Sequence, residues 1–565
     1  MAEAFVDKIQ MQNRLFAELS RMFGQEVPLY DKSLLCNLVC NRAVCELIGQ
    51  RFPGFSITDE QIDLTSGERH GAIRIGKPEE YRWVGRFFAA FAMHPHNFYD
   101  MTALGGKSQP VIATAFRSKH NPEHRVFSSL LMTNYFDDST RDRVESLLAG
   151  RQVFSDRAKE LIEKDERQGG LDAEDAKALI AEATNRIFKW TGEARGHALY
   201  TDLCAGGFKI AADVACFESH HLNHLTPNTF CMDLYTSAMK LCLGELDRET
   251  FQARATDALT WIAEHADRDY LVLHFKHMDR QAIDALPEAT PPTAAVPGQV
   301  AALAERLSQP DLDLSQLNHN GFKDYTEGPA TETQVLLRQD AYKALTEPVT
   351  FTDGDARVET EHTARFGEIE QRFYATTPKG RALYDQSLAE HEKNRAEHPD
   401  LAKTDHSAYA AMQAEAFRAF PKTLDGLLEQ QLIYGKYTPT PAGLDAAGTL
   451  ASADLRELVA AGHVQADGLR YEDFLPFSAA GIFASNLNQY GTASTAAQKP
   501  DYTPELLEDI LGQPIIDVDT QYRAIEAVSL LDTYERLGLG DQLSAEHKRE
   551  LEAAAGLDNA PAALA

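Results

Sequence analysis

The amino-acid sequence predicts an α+β protein in which strand-rich stretches lie among helices. Residues 4–24 and 31–50 carry apolar side chains at helical spacing. Between about 56 and 120, short apolar runs such as GAIRIG and PVIATAF are broken by glycine and proline, which is typical of strands. Strand patterns return at 331–377, where ARFGEIEQRFYATT is the best candidate. We therefore expect one core built from two distant parts of the chain.

Most of the remaining chain favours helix. Residues 139–198 are rich in Ala, Glu, Lys, Arg and Leu at helical spacing, which predicts a hairpin of two long helices. KIAADVACF, at 209–217, resembles a strand, and 380–435 are charged and helical. Residues 470–490 form an apolar segment that contains glycine. The tail AAAGLDNAPAALA predicts disorder.

Residues 236–330 differ in character from their surroundings and suggest a helical insertion. The Pro- and Ala-rich run at 286–299, LPEATPPTAAVPGQ, favours an exposed linker within it. The predicted organisation has four parts: the N-terminal helices and first part of the core at 1–235, the insertion at 236–330, the second part of the core at 331–490, and C-terminal helices with the tail at 491–565.

Charge and composition exclude several classes of partner. The chain has 565 residues with 55 Lys plus Arg against 85 Asp plus Glu, a formal net charge of −30. Such a surface repels nucleic acid and anionic lipid. We find no apolar run of membrane-spanning length and no basic start followed by an apolar stretch, so we expect a cytoplasmic protein. An anionic substrate would need a local cation to hold it.

The seven cysteines predict free thiols, since the count is odd and no export signal precedes them. Cys36, Cys40 and Cys45 lie in an apolar stretch, and the first two share a helix face. A metal or redox pair is one interpretation, but buried small apolar side chains are the favoured one.

His70 and Arg74 are the first candidate functional residues. In a strand over RHGAIRIG, His70, Ala72 and Arg74 share one face, while Ile73 and Ile75 face the core on the other. A metal ligand and a carboxylate-binding arginine about 13 Å apart along the strand would suit a small dianion. A solvent-facing polar strand face is the alternative.

The segment ESHHLNHLTP supplies His220, His221 and His224. Three histidines in five residues beside a strand end are unusual outside metal sites. The spacing matches neither a zinc finger nor HExxH, so a polar loop with incidental histidines remains open.

Glu368 is the candidate carboxylate, but its neighbour Glu370 would lie on the same strand face, so periodicity does not choose between them. Gly367 permits a close backbone approach. A solvated face with cross-strand ion pairs is the alternative. Two histidines and one carboxylate from separate strands would form a facial triad that leaves open positions on iron(II) for a substrate and dioxygen. We find no GxGxxG before a helix, GxxxxGK[ST], GxSxG or HExxH.

A family resemblance runs through these segments in order. Its motifs are HGAIRIG, TAFR, RVFSSLL, NHLTP, LLRQDAYKALTEPV, HTARFGEIEQR, TPKGR and YEDFLPFSAAGIFASNL. Together they resemble the 2-oxoadipate dioxygenase/decarboxylase family. The resemblance implies a vicinal-oxygen-chelate-like curved sheet around a metal, related to hydroxymandelate synthase. FGEIEQR is also similar to the segment with the metal glutamate in 4-hydroxyphenylpyruvate dioxygenases, which favours Glu368 over Glu370.

The resemblance implies roles for individual residues. His70, His224 and Glu368 would bind Fe(2+), Arg74 would hold the substrate and act in catalysis, and Phe477 and Ser478 would line the pocket beside the two histidines. The implied reaction uses dioxygen to convert 2-oxoadipate to 2-hydroxyglutarate with release of CO2, a step of lysine catabolism.

Three departures from the family pattern leave the substrate open. They are residues 236–330, Asn228 where a basic residue is expected, and Phe477 where a smaller aliphatic one is expected. The alternatives are a dioxygenase for another 2-oxo acid, a zinc- or manganese-dependent hydrolase or isomerase on the same fold, and a non-catalytic interaction protein. The sequence does not give the oligomeric state.

Overall fold

The computed structural model describes residues 5–104, 108–119, 123–287, 289–363, 365–475, 493–498 and 500–556. Groups of helices and groups of strands follow one another along the chain, which confirms the α+β class. The helices up to residue 307 are α1 Lys8–Glu26, α2 Pro28–Arg51, α3 Asp59–Ser66, α4 Pro78–Ala89, α5 Asp138–Ala149, α6 Asp156–Gln168, α7 Ala173–Glu182, α8 His197–Ala205, α9 Lys209–Cys216, α10 Met232–Cys242, α11 Arg248–His265, α12 Arg268–His274, α13 Arg280–Asp284 and α14 Val296–Leu307.

The later helices surround the C-terminal part of the chain. They are α15 Pro378–Glu397, α16 Leu401–Thr404, α17 His406–Ala416, α18 Leu424–Glu429, α19 Pro441–Asp445, α20 Leu455–Ala460, α21 Pro504–Leu511, α22 Val518–Arg536 and α23 Ala545–Ala555. The strands are β1 Arg69–Ile75, β2 His94–Asp100, β3 Val111–Arg117, β4 His124–Leu131, β5 Glu193–Ala194, β6 His224–Pro227, β7 Leu337–Ala341, β8 Thr346–Asp353, β9 Ala356–Thr363, β10 Glu368–Arg372, β11 Gly435–Pro439 and β12 Val464–Gly468.

A five-stranded sheet of order β2-β3-β4-β1-β6 forms the centre of the fold. Strand β1 runs parallel to β4 and antiparallel to β6. The pair β7–β10 joins the β6 edge through a bridge between Asn228 and Glu370, where Thr229 N donates to Glu370 O at 2.8 Å. The strands from the two distant parts of the chain therefore meet beside β6.

Two local predictions are wrong. Residues 139–198 form three helices, α5 to α7, followed by the short strand β5 and the first residues of α8, where a hairpin of two helices was expected. KIAADVACF forms helix α9, because Ile210, Ala211, Val214 and Ala215 recur at helical spacing and are all buried. Its alanines favour helix, and short buried apolar runs do not distinguish helix from strand by pattern alone.

The helices of 236–330 pack closely on the N-terminal part of the chain. The guanidinium of Arg51, at the end of α2, donates to backbone carbonyls of Ala263, Glu264 and Ala266. The predicted exposed linker is wrong for its last four residues, which begin α14, and Val296 is buried there. The proposed division into four parts stays a prediction.

None of the seven cysteines, all of which are described, forms a disulfide. In the part of the chain that the structure describes, no helix combines the length and apolar character needed to cross a membrane.

Candidate metal centre

Strand β1 carries its polar residues into the protein interior. His70 is 1% exposed and Arg74 is 5% exposed, so the solvent-facing alternative is wrong. In the antiparallel register, His70 lies opposite Thr226, and Ala72 lies opposite His224. Directly opposed residues share a face, so His224 lies between His70 and Arg74 on one side of the sheet.

Strand β10 brings Glu368 to the same place. Its Oε2 atom lies 3.0 Å from Nε2 of His70 and 3.4 Å from Nε2 of His224. The candidate donor atoms of all three residues lie within 4.8 Å of one another, and all three residues are buried. Two ligands about 2.1 Å from a metal and at right angles are about 3.0 Å apart, so this spacing fits one ion on one face.

Gly367 explains why the chain at the start of β10 can lie so close to the ring of Tyr342. A Cβ atom at this position would overlap the ring of Tyr342. The close backbone approach that the sequence suggested is therefore required, and it lies directly before Glu368, the first residue of β10.

Glu370 contacts the other edge of the His70 ring. Nδ1 of His70 donates to Oε2 of Glu370 at 2.8 Å, while Nε2 faces Glu368. Burial alone would lower the pKa of His70, but the carboxylates of Glu370 and Glu368 outweigh it and raise that pKa. A carboxylate that holds the second nitrogen of a metal-binding histidine fixes its tautomer and orientation. The geometry therefore favours Glu368 as ligand and Glu370 as its support.

Two guanidinium groups in turn hold Glu370. Arg125 Nη2 lies 3.1 Å and Arg372 Nε 2.8 Å from Oε1 of Glu370. Burial opposes ionisation, but Arg372 and His70 outweigh it and lower the pKa of Glu370. The carboxylate of Glu370 is consequently ionised over the pH range in which His70 titrates, and it can accept the hydrogen bond from Nδ1 of His70.

Glu368 is ionised and His224 is neutral near pH 7. Thr226 Oγ1 and Gln339 Nε2 donate to Oε2 of Glu368 at 3.0 and 3.2 Å. Burial opposes ionisation, yet the neighbouring His224 and His70 lower the pKa of Glu368. Burial lowers the pKa of His224 to about 4, so its imidazole is neutral at pH 7, as a metal ligand must be.

The other two histidines of ESHHLNHLTP contact different partners. His220 Nε2 lies 3.2 Å from Oε2 of Glu80, and His221 Nε2 lies 3.3 Å from Oδ1 of Asp213. Both are buried, so the polar-loop alternative is wrong for them. Of the three, only His224 joins the triad.

Arg74 is held by a buried carboxylate on α9. Its Nη1 donates to Oδ2 of Asp213 at 2.7 Å. His362 Nε2 donates to Oδ1 of Asp213 at 2.9 Å, and its Nδ1 accepts from the Tyr200 hydroxyl at 2.8 Å. Burial opposes ionisation of Asp213, but His221, His362 and Arg74 hold its pKa well below the ordinary value. Arg74 therefore has a rigid anionic support on one side.

Sequence reasoning missed several residues that shape the site. Thr226 stands within the NHLTP motif, where strand alternation from His224 gave a usable signal. Asp213 was obscured because its segment was interpreted as a strand. Gln339 and His362 carried no local signal, since each is distant in sequence from the residues that it contacts.

Two predicted pocket residues, Phe477 and Ser478, lie outside the described residues. Asn228 is described: its backbone carbonyl accepts from Asn37 Nδ2 at 2.9 Å, and its side-chain Oδ1 accepts from Arg470 at 3.5 Å. An arginine from elsewhere thus lies beside the position where a basic residue was expected.

The fold and the site together indicate the class of protein, a candidate metal-dependent enzyme. A mixed α+β core presents a buried candidate site of two histidines and one carboxylate for a single metal ion, on the same sheet face as Arg74. Three protein ligands on one face leave coordination positions for other molecules, which is typical of catalytic metal sites.

Comparison with known proteins identifies the family. The profile of 2-oxoadipate dioxygenase/decarboxylase matches residues 15–256 and 269–486, so the match covers most of the suspected insertion. The chain belongs to the 2-oxoadipate dioxygenase/decarboxylase family.

Individual relatives match over nearly their whole length. A protein of this name from Pseudomonas putida is 34% identical over 95% of this chain and 99% of its own. One from Escherichia coli K12 is 30% identical over 92% of this chain and 96% of its own. Among solved structures, the hydroxyglutarate synthase from Pseudomonas putida in complex with 2-oxoadipate has a TM-score of 0.65 at 32% identity. The match covers 95% of this chain and 100% of that one.

Proposed function

We propose that this protein is an iron(II)-dependent dioxygenase that decarboxylates 2-oxoadipate oxidatively and yields 2-hydroxyglutarate and CO2. The observation that carries the proposal is the buried triad of His70, His224 and Glu368 on the same sheet face as Arg74. The descriptions of the relatives support the substrate, because all three refer to 2-oxoadipate and one of them also to hydroxyglutarate synthesis.

The donor set suits iron(II) bound by two imidazoles and a carboxylate. Bound iron(II) would supply the redox chemistry with dioxygen and an attachment point for the 2-oxo carboxylate. The protein's contribution is to hold the triad in one geometry: Glu370 orients His70, while Thr226 and Gln339 orient Glu368. Burial keeps His224 neutral and its nitrogen lone pair free for the ion.

Arg74 is the proposed partner of the distal carboxylate. It lies four residues from His70 on one strand face, which separates their Cα atoms by about 13 Å, a distance that the two side chains and a short dicarboxylate can span together. Since the whole protein is strongly acidic, this local cation is needed to hold a dianion. Asp213 keeps the guanidinium in place so that substrate binding does not have to order it.

Burial of the proposed site limits the access of water to the reacting groups. All three proposed ligands and Arg74 are buried, and Phe366 and Phe474 pack against the rings of His224 and His70 with centroid distances of 5.0 Å in each case. An apolar surround strengthens the charge interactions within it and limits side reactions. Phe477 and Ser478 remain proposed members of the pocket wall.

The test uses protein prepared without oxygen and loaded in turn with Fe(II), Zn(II) or Mn(II). Oxygen uptake and CO2 release are measured with 2-oxoadipate, shorter 2-oxo acids and aromatic 2-oxo acids. We expect activity with Fe(II) alone and the highest kcat/KM with 2-oxoadipate. Turnover without oxygen consumption would favour a hydrolase or isomerase, and turnover of another 2-oxo acid would revise the substrate alone.

A further inference from the structure

A polar cavity lies apart from the triad, among the helices of the segment first interpreted as an insertion. It has a volume of about 70 Å³. This exceeds the roughly 10–15 Å³ that a cavity needs to hold one water molecule. The space suits a phosphate or carboxylate group.

Besides Arg338, two cationic side chains and one histidine, each from a different helix, line this cavity. Lys240 belongs to α10, Arg254 to α11 and His406 to the start of α17, and each is half-buried. Among the described residues, none of the three forms an ion pair or a side-chain hydrogen bond. Lys240 Nζ lies 6.0 Å from the centroid of the Phe322 ring, and the carboxylates of Asp340 and Asp324 act on its charge from a greater distance than an ion pair.

The carboxylates in the lining already have other partners. Asp233 pairs with Arg338 at 2.8 Å, Asp324 with Lys403 at 3.2 Å, and Glu332 with Lys422 at 3.6 Å. These pairs engage the carboxylates of the lining with other cations, so Lys240 and Arg254 contribute positive charge that no ion pair neutralises, while the nearby carboxylate of Asp340 acts on Lys240. Bringing like charges together in a partly desolvated cavity is unfavourable unless an anion compensates them.

The ionisation of these groups agrees with that picture. Burial lowers the pKa of Lys240 and of Arg254, and burial together with the neighbouring Arg254 lowers the pKa of His406. A bound anion would reverse each of these shifts.

The cavity and the triad lie on opposite faces of β7. Arg338 lines the cavity, while the next residue, Gln339, donates to Glu368 at 3.2 Å. Successive strand residues point to opposite faces, so a ligand in the cavity does not occupy the metal centre.

We propose that this cavity, which we call the cationic pocket, binds a small oxyanion through the cations Lys240 and Arg254, with the neutral imidazole of His406 as a further hydrogen-bond donor. Such a ligand carries a phosphate group or two carboxylates. Charge-assisted hydrogen bonds from a guanidinium and an ammonium are among the stronger polar contacts in proteins, and Arg254 can hold two oxygens at once.

Isothermal titration of the iron-loaded protein with inorganic phosphate, and separately with succinate, at constant ionic strength tests the proposal. We expect one saturable site per chain for at least one of them. Phosphate alone would identify a phosphoryl ligand, and succinate alone a dicarboxylate. Lys240→Gln and Arg254→Gln should each weaken binding by about tenfold or more, since each removes one charge-assisted contact.

Two controls separate the pocket from other sites. Arg248→Gln removes a positive charge from an exposed position of α11, the helix that carries Arg254, and should leave the affinity for the anion unchanged. His224→Ala, which lacks a triad ligand, should keep phosphate or succinate binding, because the metal is not involved. Metal content of the pocket variants reports that they are folded.

The proposal is overturned by an absence of saturable binding up to about 10 mM, which lies above the millimolar range of weak specific binding. It is also overturned if binding survives both pocket substitutions, or if it disappears in His224→Ala, since the anion would then occupy the metal centre.

Discussion

Nδ1 of His70 lies 2.8 Å from a carboxylate oxygen of Glu370, so the imidazole is fixed from the side opposite to Glu368. Two glutamates on one face of β10 therefore contact the two nitrogens of one ring. This relationship separates the proposed ligand from its support and leads to the first prediction.

Glu370→Gln should keep a weakened metal site, whereas Glu368→Gln should lose it. The first change removes the charge that orients His70, and losses of this kind typically cost about 10–100-fold in metal affinity. The second removes one of three protein ligands. Metal titration of both variants is the measurement. Strong binding by Glu368→Gln with none by Glu370→Gln would exchange the two roles.

His70→Ala and His224→Ala should each lose bound iron and oxygen uptake, because each removes a ligand. His220→Ala and His221→Ala are matched controls from the same stretch of chain, and their side chains contact Glu80 and Asp213 instead. Both controls should retain the metal. An iron-free His221→Ala protein beside an iron-replete His224→Ala protein would show that the wrong histidine was chosen.

Arg74→Lys should lower kcat/KM nearly as much as Arg74→Ala does, because a lysine does not reproduce a directional guanidinium pair. The loss should correspond to roughly 2–4 kcal/mol of transition-state binding free energy. Iron content should not change. Full activity of Arg74→Lys with 2-oxoadipate would contradict the assignment.

Asp213→Asn should act through Arg74 and mainly raise KM for 2-oxoadipate. The amide keeps the shape but removes the charge that holds the guanidinium, and we expect a loss of about tenfold, within the range for hydrogen bonds to charged groups. Tyr200→Phe is the milder comparison, because it loses only the hydroxyl that binds His362. An unchanged KM in Asp213→Asn would mean that Arg74 needs no such support.

Metal affinity should rise with pH up to the pKa of His70. That pKa is raised above the ordinary 6.5, so an incoming ion must displace a proton. His224, with a pKa of about 4, is already neutral above about pH 5. As pH falls below the pKa of His70, one competing proton lowers apparent affinity by about tenfold per pH unit. Competition with a chelator of known pH dependence measures this slope, and a flat profile from pH 5 to 7 would contradict it.

Helix α14 should contribute to stability although its first residues come from a Pro-rich run. Val296→Ala and Val300→Ala each remove buried methyl groups and should lower the free energy of unfolding by roughly 1–3 kcal/mol. A Cβ at Gly298, on the same helix, would meet nothing within 4 Å, so Gly298→Ala should be neutral or stabilising by about 0.4–1 kcal/mol. Denaturant unfolding compares the three, and equal stability of all would show that this end of α14 is not packed.

Part of the fold was predictable because it depends on local pattern. The helices α1 and α2 and the strands β1, β3 and β10 follow from spacing of apolar residues that is read within one segment. The strand prediction for 209–217 was wrong, because a short apolar run is compatible with both helix and strand until packing against its neighbours selects one. The linker prediction failed for residues 296–299 because proline is also favoured in the first turn of a helix.

The sequence by itself determined the family and a short set of candidates: His70, Arg74, three histidines near 224, and two glutamates on one strand face. The family resemblance favoured His70, His224 and Glu368 among them, and only the tertiary structure showed that these three lie together. The register of β1 with β6 brings His224 beside His70, and the bridge to β10 brings Glu368 to both. It also brought Lys240, Arg254 and His406 around one cavity from three helices. The physical reason is that alternation within a strand assigns a face, whereas distances between side chains depend on which strands and helices become neighbours.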